Sequence, residues 1–401
     1  MKKIILVITA GLILIASSFR VAFAAETDLL TQANTAFALD LYKQLKEQPG
    51  NLFFSPYSMA AALSMTAAGA RENTAAQMMR ALHQEGMDEP HRAWAVLGKE
   101  LKGLSQGGQV RLDVANSLWP QKDYPFQAEY LRLIREHYQA SIQPCDFAGN
   151  PEDARRRINQ WVEEQTQKKI TELISPGVLT PLTRLVLANA IYFKGDWERQ
   201  FSSAATAPAP FHLANGQTVQ TPLMTQKATF GYAEYPELQV LSMDYKGGRV
   251  SMIVLLPKKA DGLAELEGQL TPGNLRQWTS RLARREVTVF IPKFKLTSEF
   301  SLNQKLKALG MTDAFDMNRA DFSGMDGRKA NLYISAAVHK AVVEVNEEGA
   351  EAAAATAVVV GVRSAPMQPL VFRADRPFLF LIQDKQTGTV LFLGRMAQPG
   401  A

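Results

Sequence analysis

Apolar residues recur three and four apart over 29–46, 59–68, 92–104 and 128–138, the spacing of helices that bury one face. A further helix is expected over 152–165, opening behind Asn150-Pro151 with the proline near its first position, where a missing N–H costs little. Downstream the pattern changes. Short runs of branched and aromatic residues at 183–193, 239–245, 250–256, 286–291, 332–345, 378–383 and 390–395 read as strands. Helices first and strands mostly later predict an α+β architecture rather than alternating βαβ units. No long Pro/Gly/Ser linker and no repeat divides the chain, so one large domain is expected over 25–401.

The N-terminus carries a different pattern. Lys2 and Lys3 precede a mostly apolar stretch from Ile4 to Phe19, and Ala22-Phe23-Ala24 follows with the small residues of a processing site. This order reads as an export signal over 1–24, cut after Ala24, and predicts a periplasmic or extracellular protein without stable membrane association once the signal is removed. The 401 residues include 44 basic and 39 acidic ones, a net charge of +5. Loss of Lys2, Lys3 and Arg20 leaves 41 basic residues against 39 acidic ones, about +2. So small an excess gives no basis for binding nucleic acid or an acidic membrane. With Cys145 as its single cysteine, the chain has no internal disulfide, and its stability must come from packing.

A search for catalytic chemistry finds none. The histidines at 83, 91, 137, 212 and 339 are scattered, with no His-Glu-x-x-His helix and no cysteine pair, so no metal or other cofactor is expected. There is no Gly-x-Ser-x-Gly elbow, Walker loop or dinucleotide fingerprint. The pairs Glu163/Glu164 and Glu347/Glu348 are sequence neighbours, which point apart on a helix or strand and make poor acid/base dyads. Cys145 lacks a surrounding nucleophile motif and reads as a packed thiol.

The least ordinary stretch is 347–360, Glu-Glu-Gly-Ala-Glu-Ala-Ala-Ala-Ala-Thr-Ala-Val-Val-Val, followed by Arg363-Ser364. Alanine's propensity favours a helix, and a biased segment can also be a linker. The same run can join a sheet as a strand, because its side chains are small and it contains no proline.

Five motifs, in order over more than three hundred residues, resemble the serpin family: Asn51-Leu-Phe-Phe-Ser-Pro-Tyr-Ser, Leu187-Ala-Asn-Ala-Ile-Tyr-Phe-Lys-Gly-Asp-Trp-Glu, Val338-His-Lys-Ala-Val-Val-Glu-Val-Asn-Glu-Glu-Gly, Asp375-Arg-Pro-Phe-Leu-Phe-Leu-Ile and Phe392-Leu-Gly-Arg. The resemblance implies three β-sheets, one of them large and central, eight or nine helices and an exposed reactive loop at about 347–370. It also implies a non-enzymatic inhibitor, most simply a monomer, that a serine protease cleaves and that traps the protease covalently by inserting the cut loop into the large sheet. A non-inhibitory carrier and a cross-class inhibitor of cysteine proteases are the alternatives within the family.

Within that resemblance the bait bond is Arg363–Ser364, flanked by Gly361, Val362 and Ala365. Arg363 lies fourteen residues after the hinge glycine, Gly349, and fourteen before Pro377, the latter spacing shared with antithrombin. An arginine there fits a trypsin-like pocket with a carboxylate at its base; Arg373 is the next arginine that could replace it. The hinge comprises Glu347, Glu348, Gly349, Ala350, Glu351, Ala352, Ala353, Ala354, Ala355 and Thr356. Its alternation assigns Ala350, Ala352, Ala354 and Thr356 inward on insertion and leaves Glu351 facing water. The resemblance further places Ser55, Ser58, Asn189 and His339 in a polar cluster beneath the strands that part, and Trp197, Lys293 and Glu347 where insertion begins. A polyanion cofactor is not expected, since His91, Arg92, Lys99 and Lys102 are mixed with Glu100, and Arg155, Arg156 and Arg157 point in different directions on one helix.

Overall fold

The computed structural model describes residues 26–400 apart from 108, 109, 124, 139, 330 and 348–368. In chain order the elements are α1 (26–45), β1 (Leu52–Phe54), α2 (Pro56–Ala68), α3 (Glu72–Ala81), α4 (Pro90–Lys102), β2 (Val110–Pro120), α5 (Ala128–Tyr138), β3 (Ser141–Ile142) and α6 (Pro151–Gln165). There follow β4 (Leu185–Gly195), β5 (Ala207–His212), β6 (Thr218–Glu234), β7 (Leu238–Asp244), β8 (Val250–Pro257), α7 (Leu263–Gly268), α8 (Pro272–Ser280), β9 (Ala283–Pro292), β10 (Phe294–Ser301), α9 (Asn303–Ala308), α10 (Ser323–Asp326), β11 (Ala336–Val345), β12 (Leu370–Arg373), β13 (Phe378–Asp384) and β14 (Val390–Met396). Of the ten α-helical segments among the described residues, α10 is a single turn.

The strands form two hydrogen-bonded networks. One has five strands in the order β10-β11-β4-β2-β3, the other nine along β1-β14-β13-β8-β7-β6-β9-β12 with β5 on β6. The resemblance divides the second network into two smaller sheets, and the 17-residue β6 is what joins them, since its start pairs with β5 and its end with β7.

The helices expected at 29–46, 59–68, 92–104, 128–138 and 152–165 are present as α1, α2, α4, α5 and α6. Asn150 caps α6 by accepting from the Asp153 amide at 3.1 Å. Strand β2 departs from the helices-first expectation. Its middle residues, Asp113 to Ser117, include Asn116 and Ser117, which blur the apolar alternation by which a strand is recognised. The expected strand at 332–345 starts only at Ala336, because the apolar Leu332 and Ile334 are buried in a loop, where Ile334 N–H donates to Ala314 O at 2.8 Å.

Both faces of the five-stranded sheet are covered, which is why β4 reads as an apolar run from Leu185 to Phe193 interrupted only by Asn189. Leu187, Ile191 and Phe193 of β4 join the main core with α2, while Val186, Ala188, Ala190 and Tyr192 pack on the other face with Ala154, Ile158 and Val162 of α6. Within this sheet β11 and β4 are parallel neighbours, from Ala336 opposite Val186 to Val343 opposite Phe193. Each is antiparallel to its outer neighbour, β10 and β2.

Candidate functional site

A polar row crosses the β11–β4 seam. His339 of β11 lies opposite Asn189 of β4, and Asn189 lies opposite Asn116 of β2, so three strands place three polar side chains side by side in an otherwise apolar layer. Helix α2 begins beneath them. Its N-cap, Ser55, accepts from the Ser58 amide at 3.1 Å and donates its hydroxyl to Leu391 O at 2.7 Å. The Ser55 backbone N–H donates to His339 Nε2 at 3.1 Å, so that nitrogen is the acceptor and Nδ1 carries the proton, which it donates to Asn189 Oδ1. Asn189 Nδ2 then donates to Ser58 Oγ at 2.6 Å and to Asn116 Oδ1. Asn116 Oδ1 also accepts from Ser58 Oγ at 2.9 Å, and Asn116 Nδ2 donates to Ser58 O at 3.2 Å.

His339 is fully buried, and burial lowers its pKa from 6.5 to about 3. A second proton on Nε2 would face the Ser55 N–H donor, so hydrogen bonding also favours the neutral ring. Phe300 of β10 stacks beside it, with centroids 6.4 Å apart. The imidazole is therefore a satisfied core group and not an acid or base catalyst. Sequence reasoning found Ser55, Ser58, Asn189 and His339 but not Asn116, which stands outside the quoted motifs and is found by register opposite Asn189.

A second cluster sits where β11 ends. Lys293 Nζ meets Glu347 Oε2 at 2.8 Å, and the Glu347 carbonyl accepts from the Phe201 amide at 3.0 Å. Trp197 donates its indole N–H to Asn346 O at 2.9 Å and stacks on Tyr245, with centroids 4.4 Å apart. Gly195 permits this packing, since a Cβ there would lie 2.7 Å from the Tyr245 ring. Burial pushes the Glu347 carboxyl up, but hydrogen bonds from Lys293 and its own backbone amide, with the lysine charge, hold it below the usual carboxylate value. The structure thus brings Trp197, Lys293 and Glu347 together at the end of β11.

The bait and hinge residues Glu348 to Thr356, Gly361, Val362, Arg363, Ser364 and Ala365 lie outside the described residues. Arg373, the alternative bait, is engaged in β12. Its Nε donates to Asp375 at 3.1 Å and its guanidinium lies 4.5 Å over the Phe290 ring. Cys145 is buried, and burial raises its thiol pKa, which suppresses the nucleophilic thiolate. Among the described residues no group of three or more His, Cys, Asp or Glu side chains could hold a metal ion.

Residues 32–399 match the family described as Serpin (serine protease inhibitor). The chain is 43% identical over 381 residues to the leukocyte elastase inhibitor A of Mus musculus, covering 92% of this chain and 99% of that protein. Among solved structures it is similar to an Arabidopsis serpin in its native stressed conformation (TM-score 0.84, 32% identity, covering 93% of this chain and 98% of that one). It is also similar to uncleaved ovalbumin (TM-score 0.83, 31% identity, covering 92% and 100%). The expectation of export is not upheld. It rested on residues 1–24, which precede the family match and lie outside the described residues, and the mouse inhibitor is matched over 99% of its length by 92% of this chain. These relatives, leukocyte elastase inhibitors of several mammals among them, lend export no support.

Proposed function

Because the chain belongs to the serpin family of serine protease inhibitors, we propose that it is a suicide-substrate inhibitor of trypsin-like serine proteases, acting as a monomer, with Arg363–Ser364 as its bait bond. The protease serine hydroxyl adds to the Arg363 carbonyl, and the Arg363–Ser364 amide bond breaks. The Ser364 amine leaves with the proton taken from that hydroxyl, and an ester joins Arg363 to the protease. The chain that leaves β11 through Glu347 then folds back between β11 and β4, and the tethered protease is carried with it before water cleaves the ester.

The observation that carries this reading is the parallel β11–β4 seam in the five-stranded sheet. A strand that turns back at the end of β11 runs antiparallel to β11, and because β4 runs parallel to β11 it is antiparallel to β4 too. One parallel pairing becomes two antiparallel ones, which are slightly more stable per residue. With Gly349 at the bend, Ala350, Ala352, Ala354 and Thr356 enter the layer that holds Asn189 and His339, where larger or charged groups would be costly. Glu351, Ala353 and Ala355 take the other face. In this scheme the Ser55, Ser58, Asn116, Asn189 and His339 network holds the seam closed, and the Lys293–Glu347 pair with Trp197 guards its entry.

The test is incubation with trypsin, followed by boiling in detergent and mass analysis. A covalent complex is expected, with release of a fragment that begins at Ser364; complete cleavage with no complex would overturn the inhibitory reading. A second reading has its own support: the mouse relative is named an elastase inhibitor, and Val358, Val359, Val360 and Val362 suit a small aliphatic pocket. If elastase is trapped instead and the fragment begins at Arg363, the bait is Val362.

A further inference from the structure

The hairpin that joins β5 to β6 turns through Leu213-Ala214-Asn215-Gly216-Gln217, a stretch that the proposed inhibitory cycle does not use. Its ladder ends at His212 opposite Thr218, and residues 214–218 are exposed. Leu213 N–H donates to Gln217 O at 2.8 Å and Gly216 N–H to Leu213 O at 3.0 Å, which closes a tight turn with Gly216 at a φ of +82°. A positive φ is what glycine tolerates best, so the turn selects it. Asn215 thereby becomes the one asparagine of the chain that a glycine follows.

The pairing has a chemical consequence. A backbone nitrogen can add to the side-chain carbonyl of the asparagine before it, forming a five-membered ring, and a side chain on the following residue hinders that approach. Gly216 has none, and even a Cβ built there would meet nothing within 4 Å. Asn215 Oδ1 accepts from the Gln217 N–H at 3.0 Å, a donor that polarises Cγ and stabilises the oxyanion formed on addition. The Gly216 hydrogen bond to Leu213 opposes addition, but an exposed turn at the end of a ladder opens locally at little cost. Asn116 is the contrast: a small residue, Ser117, follows it, yet its amide is engaged by Ser58 and Asn189 within the five-stranded sheet.

We propose that Asn215 is a site of spontaneous covalent modification. The Gly216 nitrogen gives its proton to solvent base and adds to Asn215 Cγ; the Cγ–Nδ2 bond breaks, and Nδ2 leaves as ammonia with a proton from solvent. Water then opens the imide at either carbonyl. Opening at the side-chain carbonyl gives aspartate at 215, and opening at the main-chain carbonyl gives an isoaspartyl linkage with one more carbon in the backbone. The sum is water consumed and ammonia released, so no oxidant, reductant or enzyme enters. Both products put a carboxylate where Nδ2 donated to Gln217 Oε1 at 3.1 Å, and the isoaspartyl form also lengthens the turn. β5 depends on that turn, because Pro208 and Pro210 have no N–H to give to β6. Modification therefore loosens the end of β5, including the 2.7 Å bond from His212 N–H to Asp375 O that ties it to the segment after β12.

The test is to hold the full chain at mildly alkaline pH, digest samples over time and follow the peptide that carries residues 213–218 by mass spectrometry. A gain of about 1 Da localised to residue 215 is expected, with isoaspartate there detected by an isoaspartyl methyltransferase. Conversion should run within about ten-fold of the rate in a free peptide of residues 211–220, and at least about ten-fold faster than at Asn116. A folded chain slower than the peptide by more than that margin would show that the turn shields Asn215 and would overturn the site. Conversion at Asn116 before Asn215 would overturn it too. Asn215→Gln, whose longer side chain would need a six-membered ring, should abolish both the mass gain and the isoaspartate signal in this peptide. A signal that persists would place the chemistry at another residue and overturn the assignment. Hydrogen exchange on the converted protein should show the amides of His212, Leu213 and Gln217 exchanging at least about ten-fold faster than before. Unchanged exchange there would overturn the loosening of β5.

Discussion

His339 exchanges water for two hydrogen bonds that only its neutral ring can make, accepting at Nε2 from Ser55 and donating at Nδ1 to Asn189. Its folded pKa of about 3 lies below the unfolded 6.5, so between these values the unfolded chain binds the extra proton. The native state therefore loses stability as pH falls through that window, by about 1.4 kcal/mol per unit. Denaturant unfolding at pH 7.5 and 4.5 should show a drop on the order of 3 kcal/mol from this group, and His339→Gln should shrink the drop while lowering stability at pH 7.5. Asn189→Ala removes acceptor and donor together and leaves His339 Nδ1–H without its partner, for an expected loss of about 2–3 kcal/mol in the same assay. The importance of His339 was legible from its motif. That of Asn116 was not, because a lone asparagine in a blurred strand has no local signature, and it is register across β2 and β4 that gives it a role.

At the scale of elements, the seam matters more than either strand. β4 and β11 were readable as strands because burial on both faces makes them mostly apolar, with branched residues such as Val186, Ile191, Val338, Val342 and Val343. Their parallel pairing was not readable from periodicity, since it depends on which strands neighbour each other. Strand β6 was missed because exposed and buried positions are mixed along its 17 residues. Insertion requires small inward residues, so Ala354→Glu should turn the inhibitor into a substrate: trypsin cleaves at the same bond, yet little or no detergent-stable complex forms. The Lys293–Glu347 pair joins a half-exposed lysine to a mostly buried carboxylate, and Glu347→Gln should cost no more than about 1 kcal/mol in native stability. Its larger effect should be kinetic, a faster uptake of a synthetic peptide with the sequence of residues 350–361. Glu347 has a depressed pKa, so the pair's contribution is present above the ordinary carboxylate value and is lost as pH falls through the depressed one.

At the scale of the molecule, the proposed mechanism requires the parallel β11–β4 seam to open and take in the segment that follows Glu347. Cleavage alone, with no protease trapped, should then stabilise the protein, and the rise in midpoint temperature should accompany cutting at Arg363–Ser364. The most direct test of insertion is hydrogen exchange on the protein before and after that cut. Backbone amides of residues 350–361 should exchange freely in the intact chain and slow by at least about 100-fold after cleavage, with β4 and β11 slowing alongside them. If 350–361 still exchange freely in the cut protein, no strand has entered the seam, and the inhibitory mechanism proposed for this chain is wrong.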